Sequence, residues 1–267
     1  MSLAVIVPAY NEKILISKSL NSLMAQTHKP DEVIVVDDDS TDQTFEIASH
    51  YPVTVVTRKK TGGYDILGNY TKVLKFGYDL LEKEHQYIAI LDADTELKLD
   101  YYETLLKTSG WGITGGSLLG VKSKTFAYKY LGLRDFVYGC NRVYTKETWD
   151  TLWRLTPLNY NYHMGIDTYH SLLALNKGID VRFNPDAVSI ALRPPIPSRS
   201  WSRGVGSYAL GYYWWYAFAR AIINHSPNIA LGYIWANLRD DPQAESIKPL
   251  VQRMQRERLK RIFGKWE

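Results

Sequence analysis

The stretch YIAILDADT, residues 87–95, places two carboxylates directly after an apolar run that has the length of a buried strand. Asp92 and Asp94 are separated only by Ala93, so their negative charges lie close together. Like charges raise each other's pKa unless a cation or hydrogen-bond donors offset them. The alternative is that the acidic residues cap the following helix, a common use of Asp after a strand. The rest of the sequence must decide between a cation site and a helix cap.

Short apolar runs alternate with helical patterns around this stretch, and the alternation predicts an α/β fold. Strands separated by helices of about 10–15 residues form mostly parallel, Rossmann-like sheets with helices on both faces. Continuous apolar strands fit burial on both sides of such a sheet. Strands are predicted at 3–7, 33–36, 53–56 and 87–91, and helices at 12–26, 42–49, 66–84 and 101–107.

The later sequence predicts further divisions of the chain. Residues 1–192 are expected to form one catalytic domain, with a ligand-binding part at 1–110 and an acceptor or catalytic part at 111–192. Residues 193–207, rich in Pro, Ser, Arg and Gly, are expected to form a flexible loop. Residues 208–267 are expected to form a helical extension. Within 111–192 we expect strands at 113–119, 137–144 and 180–183, and helices at 147–154 and 166–175.

Composition limits the classes of protein to which the chain can belong. Its 267 residues are 45% hydrophobic and 22% charged, which is typical of a globular protein. The net charge of +4 suits an anionic ligand and does not indicate nucleic-acid binding. Cys140 is the single cysteine, so no intrachain disulfide can form. Because no signal peptide and no run of about 18 apolar residues is evident, we expect a cytoplasmic protein without a membrane-spanning helix.

Polar residues follow three of the four predicted strands. Parallel strands bring their carboxyl ends to one edge of a sheet, where ligands bind. The carboxylates at this edge need compensation, which a divalent cation shared with substrate phosphates would provide. Oxygen ligands suit Mg²⁺ or Mn²⁺. The residues concerned are PAYNE at 8–12, DDD at 37–39 and DAD at 92–94.

Three motifs, in this order and spacing, resemble the inverting family 2 glycosyltransferases of the GT-A fold: VIVPAYNE at 5–12, VIVVDDDSTDQT at 33–44 and YIAILDADTEL at 87–97. The resemblance covers roughly residues 1–190. It implies that the carboxyl edge of the sheet binds a nucleotide-diphospho-sugar, UDP- or GDP-linked, with Mg²⁺ or Mn²⁺. It also implies transfer of a sugar with inversion at the anomeric carbon.

The resemblance implies roles for individual positions. Asp94 would ligate the metal, and Asp92 would face the ribose or join Asp94 as a metal ligand. Asp38 would contact the base with support from Asp37. Gly116 would let the donor sugar approach the backbone. Lys72 or Lys75 would replace an Arg-Asn pair that family members commonly carry. The expected donor-binding residues are Pro8, Ala9, Tyr10, Glu12, Asp37, Asp38, Lys72, Asp92, Ala93, Asp94, Gly116 and Arg203.

The segment MGIDT, residues 164–168, resembles the segment that supplies the family's catalytic carboxylate. Asp167 would therefore be the general base that takes a proton from the acceptor hydroxyl. The same residue could instead cap the helix that follows. His163 and His170 flank it without a paired ligand arrangement, and we interpret them as pocket wall or packing.

Departures from the family pattern leave alternatives open. Asp39 stands where Gly is usual, and the Gln-x-x-Arg-Trp of processive members is absent, which favours transfer of one sugar. The alternatives are a sugar-phosphate nucleotidyltransferase, which would need a Gly-rich basic loop after the first strand, and a non-catalytic nucleotide-sugar-binding scaffold.

The C-terminal third suggests a further partner. Arg193, Arg199 and Arg203 would either close over a diphosphate or form a solvated basic loop. The Tyr- and Trp-rich stretch 210–218 suits a membrane–water interface. Residues 249–266 have the pattern of a basic amphipathic helix, which lies on an anionic bilayer or packs on its own domain or a second subunit. We expect peripheral membrane association and a lipid-linked acceptor.

Overall fold

The computed structural model describes residues 1–59, 66–107, 110–120, 137, 141–156, 166–194 and 200–263, without the side chains of 66–69 and 261–263. His163, Arg199 and the first residues of the 164–168 motif lie outside this set. The described residues form two compact units. The first contains all the strands, and the second contains only helices.

The first unit carries an 8-stranded sheet flanked by helices. Within the described residues its strands are β1 (Leu3–Ala9), β2 (Glu32–Asp37), β3 (Thr54–Thr57), β4 (Tyr87–Ile90), β5 (Thr95–Leu97), β6 (Ile113–Leu119), β7 (Arg142–Thr145) and β8 (Val181–Ala191). Its helices are α1 (Ile16–Met24), α2 (Thr44–Ala48), α3 (Ile66–Asp79), α4 (Tyr101–Lys107) and α5 (Lys146–Leu155).

The strand order is β3-β2-β1-β4-β7-β6-β8-β5, and the first four of these strands are parallel. β7 runs antiparallel to both β4 and β6, and β5 runs antiparallel to β8. Ala9 pairs with Asp37, and Ile6 pairs with Ile90, so the carboxyl ends of β1, β2 and β4 meet at one edge. The predicted mostly parallel α/β sheet is confirmed.

Helices pack on both faces of the sheet, against side chains that alternate along the strands. Val5 and Val7 belong to a core that also contains Leu20 of α1 and Leu105 of α4. On the opposite face α3 packs against β1 and β2. A Cβ atom at Gly77 would lie 2.7 Å from Ile6 Cγ2 and 2.9 Å from Val36 Cγ2, so glycine allows this close approach. The expected helices on both faces are therefore present.

Strand β8 corrects the prediction for residues 180–183, because it continues to Ala191. Pro and Asp are disfavoured inside strands, and Pro185 and Asp186 concealed the continuation. The register shifts between Gly116 and Ser117 of β6, and this irregularity accommodates them. The short strand β5 was not predicted either, because three residues carry too little periodicity.

The second unit consists of five helices among the described residues: α6 (Ile166–Asn176), α7 (Ser200–Ala209), α8 (Trp214–Ile223), α9 (Pro227–Leu238) and α10 (Lys248–Phe263). The predicted loop 193–207 is wrong from residue 200 onward, where α7 begins. Gly204 suggested a loop, but it lets α9 pack closely on α7. A Cβ atom there would lie 2.0 Å from the Ile229 carbonyl oxygen.

The division into units differs from the domain boundary that we expected at residue 192. Helix α6 belongs to the second unit, where Asn176 Nδ2 donates to the Ser246 carbonyl oxygen at 2.9 Å.

Helix α10 buries Leu250, Val251 and Gln255 within the described structure. The described part of its apolar side is thus packed on protein, one of the alternatives left open by the sequence. None of the described helices combines the length and apolarity needed to cross a bilayer.

Candidate functional site

The loops that follow β1 and β2 are hydrogen-bonded to each other. The Asp38 amide donates to the Ala9 carbonyl oxygen at 2.8 Å, and the Asn11 amide donates to Ser40 Oγ at 3.0 Å. The Thr41 amide in turn donates to Asn11 Oδ1 at 2.8 Å. Asn11 has a φ of 53°, in the left-handed region that Asn tolerates. The predicted PAYNE and DDD segments therefore form one connected wall.

Asp42 stabilises the wall formed by these two segments, because its carboxylate accepts hydrogen bonds from backbone amides. Its Oδ1 accepts the Thr44 amide at 2.9 Å, and its Oδ2 accepts the Lys13 amide at 3.3 Å. Burial alone would raise the pKa of Asp42, but the hydrogen bonds from Thr44 and Lys13 outweigh burial and lower it. The Glu12 amide donates to Thr44 Oγ1 at 2.7 Å, which ties Glu12 to the same turn.

The acidic pair at the end of β2 is buried and paired with a cation that sequence reasoning missed. Asp38 forms an ion pair with Arg58, and the two side chains are only 9% and 10% exposed. Thr57 Oγ1 donates to Asp37 Oδ2 at 3.3 Å. The other oxygen of Asp37, Oδ1, is buried and has no hydrogen-bond partner among the residues that the structure describes. Arg58 directly follows β3, and the position of β3 beside β2 in the sheet brings it to Asp38.

Asp39 occupies the position at which the family usually has Gly. Its φ is 59°, so the turn requires the left-handed conformation that Gly provides and that Asp adopts at a modest cost. Lys59 Nζ lies 2.9 Å from Asp39 Oδ1 in a largely exposed ion pair. The departure from Gly is thus accommodated locally.

The DAD segment after β4 is fixed by three neighbouring elements. Ser19 Oγ of α1 donates to the Asp92 carbonyl oxygen at 3.1 Å, and the Asp92 amide donates to Asn141 Oδ1 at 3.2 Å. The Leu192 amide donates to the Asp94 carbonyl oxygen at 2.8 Å. Ala93 lies buried between the two acids, which explains the small residue at this position.

The side chains of the acidic segment have specific partners. Tyr70 OH of α3 donates to Asp92 Oδ1 at 3.0 Å. Arg193, just after β8, donates through Nε to Asp94 Oδ2 at 2.5 Å and through Nη2 to Glu12. The structure therefore brings Glu12 and Asp94 together, as their strand ends predicted. The positive charge of Arg193 therefore offsets part of the negative charge of these carboxylates.

The donor set fits a metal ion that is shared with a substrate. Among the described residues no group of three or more His, Cys, Asp or Glu side chains could hold a metal. Mg²⁺ is usually bound by one or two carboxylates together with substrate phosphates and water, so the carboxylates of Asp92 and Asp94 suffice for this mode. The Arg193 guanidinium, which contacts Asp94, shows that this position accepts positive charge.

The remaining predicted donor-binding residues of the first unit have different environments. Tyr10 is 37% exposed at the end of β1, beside the half-buried Pro8. Lys72 is exposed on α3, whereas Lys75 pairs with Asp79 at 2.8 Å. A Cβ atom at Gly116 would lie 2.1 Å from the Ala187 carbonyl oxygen, so Gly116 is required by the packing of β6 on β8.

Asp167, Arg203 and His170 belong to the second unit. Asp167 lies in the first turn of α6 and is partly exposed, and its carbonyl oxygen accepts Ser171 Oγ at 2.9 Å. Arg203 lies in α7 and is partly exposed. His170 is 1% exposed, which supports its interpretation as a packing residue. The roles of Asp167 and Arg203 stay predictions.

Comparisons with known proteins bear on this site. Residues 4–168 match the family model described as Glycosyl transferase family 2. The chain is 31% identical over 126 residues to the putative teichuronic acid biosynthesis glycosyltransferase TuaG of Bacillus subtilis, covering 43% of this chain and 47% of TuaG. The chain thus spans about half the length of this relative.

Two solved structures share the fold. One is residues 1–349 of S. aureus TarS in complex with UDP-GlcNAc, with 19% identity and a TM-score of 0.58, covering 75% of this chain and 61% of that chain. The other is the mannosyltransferase PcManGT from Pyrobaculum calidifontis in complex with GDP-Man and Mn²⁺, with 22% identity and a TM-score of 0.55, covering 88% and 71%. These similarities support the α/β architecture described above.

Proposed function

Because this chain belongs to glycosyl transferase family 2, we propose that it transfers one sugar from a UDP- or GDP-linked donor to an acceptor, with inversion at the anomeric carbon. One observation carries the proposal: Glu12 and Asp94, from different strand ends, converge on one guanidinium at the carboxyl edge of the sheet. An edge that carries carboxylates and an arginine suits a diphosphate with its metal ion.

We place the nucleoside at the wall formed by residues 8–12 and 37–39. Asp37 Oδ1 is a buried acceptor for which the described part of the chain provides no hydrogen-bond donor. Leaving such an oxygen unpaired costs about 1–3 kcal/mol, and an N–H group of a base would satisfy it. Asp38 is held in place by Arg58, so its carboxylate is positioned before the donor binds. Tyr10 is exposed enough for its ring to lie against the base.

We place the diphosphate at Asp92 and Asp94. A divalent ion held there would neutralise the charge that develops on the leaving diphosphate. Arg193 is half-buried and already contacts Asp94. An ion bound at Asp94 would replace the contact of Arg193 Nε with that carboxylate, and this N–H group would then donate to a phosphate oxygen. Lys72, Ala93, Gly116 and Arg203 are assigned to donor binding on the family resemblance.

We assign proton removal to Asp167. In an inverting transfer the acceptor oxygen attacks the face of the anomeric carbon opposite the leaving group, and it loses its proton as it attacks. The assignment rests on the resemblance of residues 164–168 to the family's catalytic segment. The position of Asp167 in the first turn of a helix is equally compatible with a capping role, so mutation must distinguish the two.

We also propose that the protein acts at the cytoplasmic face of a membrane and that its acceptor is lipid-linked. The support is compositional: the chain has 20 Tyr and 8 Trp, and many lie beyond residue 200. Binding of the nucleotide-sugar donor does not depend on a location at the membrane.

Thermal unfolding in the presence of UDP, GDP and dTDP, each with and without Mn²⁺, tests donor binding, because a ligand of the native state raises Tm. We expect one nucleotide to raise Tm more with Mn²⁺ than without it, and Asp94→Asn to abolish that difference. Indifference of the wild-type chain to all three nucleotides would contradict the proposal.

The released product separates the proposed reaction from its alternatives. A glycosyltransferase releases a nucleoside diphosphate, whereas a nucleotidyltransferase releases pyrophosphate. Asp167→Asn should abolish release of the nucleoside diphosphate while the Tm increase with donor persists. A scaffold would bind the donor and release neither product, with or without Asp167.

A further inference from the structure

Helix α8 carries an exposed stripe of large apolar side chains. Trp214, Phe218 and Ile222 follow one another at every fourth position and are 63%, 37% and 75% exposed. Residues four apart lie on one side of a helix. The rings of Trp214 and Phe218 contact each other edge to face at 5.8 Å, so neighbouring members of the stripe touch. Tyr216, Ala217 and Ala221 are the buried residues of the same helix.

Helix α9 carries a second stripe of the same kind. The opposite side of α9 is used within the second unit, where Ile229, Gly232 and Ala236 are buried. A Cβ atom at Gly232 would lie 2.4 Å from the Trp201 carbonyl oxygen, so α9 already has its packing partner there. The exposed residues are spaced by three and four positions: Leu231, Ile234, Trp235 and Leu238, at 50%, 39%, 37% and 79% exposure. The Trp235 ring also contacts the Trp201 ring edge to face at 5.7 Å, so it lies at the border between the buried and exposed sides.

The two helices form a hairpin whose only charged residues are positive. They pack on each other and are joined by a short turn, in which the His225 amide donates to the Ile222 carbonyl oxygen at 3.0 Å. Between Asp186 and Asp240 the sequence contains no Asp or Glu, but it contains Arg193, Arg199, Arg203, Arg220 and Arg239. Helix α9 has no charged residue at all.

Arginine lies at the edge of the apolar surface. The Arg239 guanidinium is 4.3 Å from the centroid of the Trp235 ring, and its Nε lies 3.6 Å from Asp241 Oδ1. An exposed guanidinium beside an exposed indole can contact a lipid phosphate while the indole lies at headgroup depth. Exposed apolar patches of this extent on soluble proteins mark interaction sites.

We propose that the exposed stripes of α8 and α9 are the surface by which this protein docks on an anionic lipid bilayer. The apolar side chains enter the boundary between headgroups and acyl chains, and the absence of carboxylates from α8 and α9 themselves limits repulsion by the lipid phosphates. A second copy of the chain is a poorer occupant, because it offers no phosphate to the exposed Arg239 guanidinium at the edge of this surface. The surface includes part of the aromatic stretch 210–218 that the sequence suggested, but it does not include the basic helix α10, which buries Leu250 and Val251.

The inference rests on the proposed membrane association and not on the sugar transfer. It is tested with the full chain and no donor, by flotation with phosphatidylcholine vesicles that contain or lack phosphatidylglycerol. We expect binding to the anionic vesicles and a loss of at least about tenfold in the partition constant for Ile222→Ser/Leu238→Ser. The control is Leu99→Ser/Leu155→Ser, which changes residues of the first unit that are 59% and 40% exposed and should bind as the wild type does.

Each contrary result has its own meaning. Absence of vesicle binding by the wild-type chain would overturn the membrane association together with this surface. Retained binding by Ile222→Ser/Leu238→Ser, or equal loss by the control, would overturn the surface alone. A dimer seen by light scattering that this variant converts to monomer, without vesicle binding, would assign the face to a second copy. The Tm increase with UDP or GDP should be unchanged in both variants, so a failure of the proposed reaction is separately visible.

Discussion

Arg193 partly neutralises the acidic end of β4, because Arg193 Nε donates to Asp94 Oδ2 at 2.5 Å. The same guanidinium contacts Glu12, which follows a different strand. Two carboxylates that would repel each other therefore share one cation from β8. Because the guanidinium lies where a metal-bound diphosphate would be expected, donor binding and this ion pair should compete for Asp94.

Arg193→Ala tests that competition. In EDTA the variant should lose unfolding free energy, because Glu12 and Asp94 are left to repel each other. The loss should be only about 1 kcal/mol, since partly exposed ion pairs contribute little to stability. Mn²⁺ alone should recover much of the loss by taking the place of the guanidinium. The measurement is Tm with EDTA and with Mn²⁺. Lys59→Ala, which removes the largely exposed pair with Asp39, is the matched control and should show neither effect. A destabilisation that Mn²⁺ leaves unchanged would contradict the competition.

Arg58→Met should be among the more damaging substitutions in the first unit. It leaves the Asp38 carboxylate buried without its cation, which typically costs about 3–5 kcal/mol. The double variant Asp38→Asn/Arg58→Met removes both charges and should recover most of that stability. Urea unfolding of both variants measures the difference. If Asp38 positions the base, the stable double variant should still lose the Tm increase with nucleotide. Retention of that increase would remove Asp38 from the binding site.

Much of the first unit could be predicted from its sequence, for physical reasons. Strands β1, β2 and β4 are continuous apolar runs buried on both faces, so their boundaries and their shared carboxyl edge follow from hydrophobicity alone. Asp38, Asp92 and Asp94 could be placed at that edge for the same reason. The pairing of Arg58 with Asp38 and of Arg193 with Asp94 could not, because it depends on which strand lies beside which.

The second unit was harder to predict because packing overrides local preference there. Gly204 and Gly206 reduce helix propensity, yet α7 forms because glycine at position 204 allows contact with the backbone of Ile229. Similarly, the apolar side of α10 predicted a membrane or a protein partner equally well. Only its buried Leu250 and Val251 show that protein occupies that side.

Gly116→Ala should destabilise the protein through the close contact between β6 and β8. Its Cβ atom would lie 2.1 Å from the Ala187 carbonyl oxygen and 2.8 Å from Tyr101 Cε2, so β6 and β8 would have to separate. We expect a loss of about 1–3 kcal/mol, as in other overpacked sites. Gly178→Ala, where φ is 72° and no atom lies within 4 Å, is the control and should cost about 1 kcal/mol through backbone strain alone. Equal losses in urea unfolding would contradict the packing argument.

The interaction of Glu32 with His85 should make stability depend on pH in the acid range. Burial raises the pKa of Glu32, but hydrogen bonds from the Glu82 and Lys83 amides and from His85 outweigh it, so the pKa lies below its ordinary value of 4.5. His85 Nε2 is 2.7 Å from Glu32 Oε2. A carboxyl whose pKa is lowered by folding stabilises the native state above its unfolded pKa, and it loses that contribution as pH falls through the folded pKa.

Glu32→Gln should therefore reduce the unfolding free energy at neutral pH and flatten its decline in acid. The variant and the wild-type chain should approach each other in stability as pH falls below about 4.5, because protonation then removes the same charge from the native protein. Urea midpoints measured from neutral pH down into this range test the sign. Glu46→Gln is the control, since Glu46 is an exposed residue of α2. A difference between Glu32→Gln and wild type that grows as pH falls would contradict the assignment of this carboxylate as a stabilising charge.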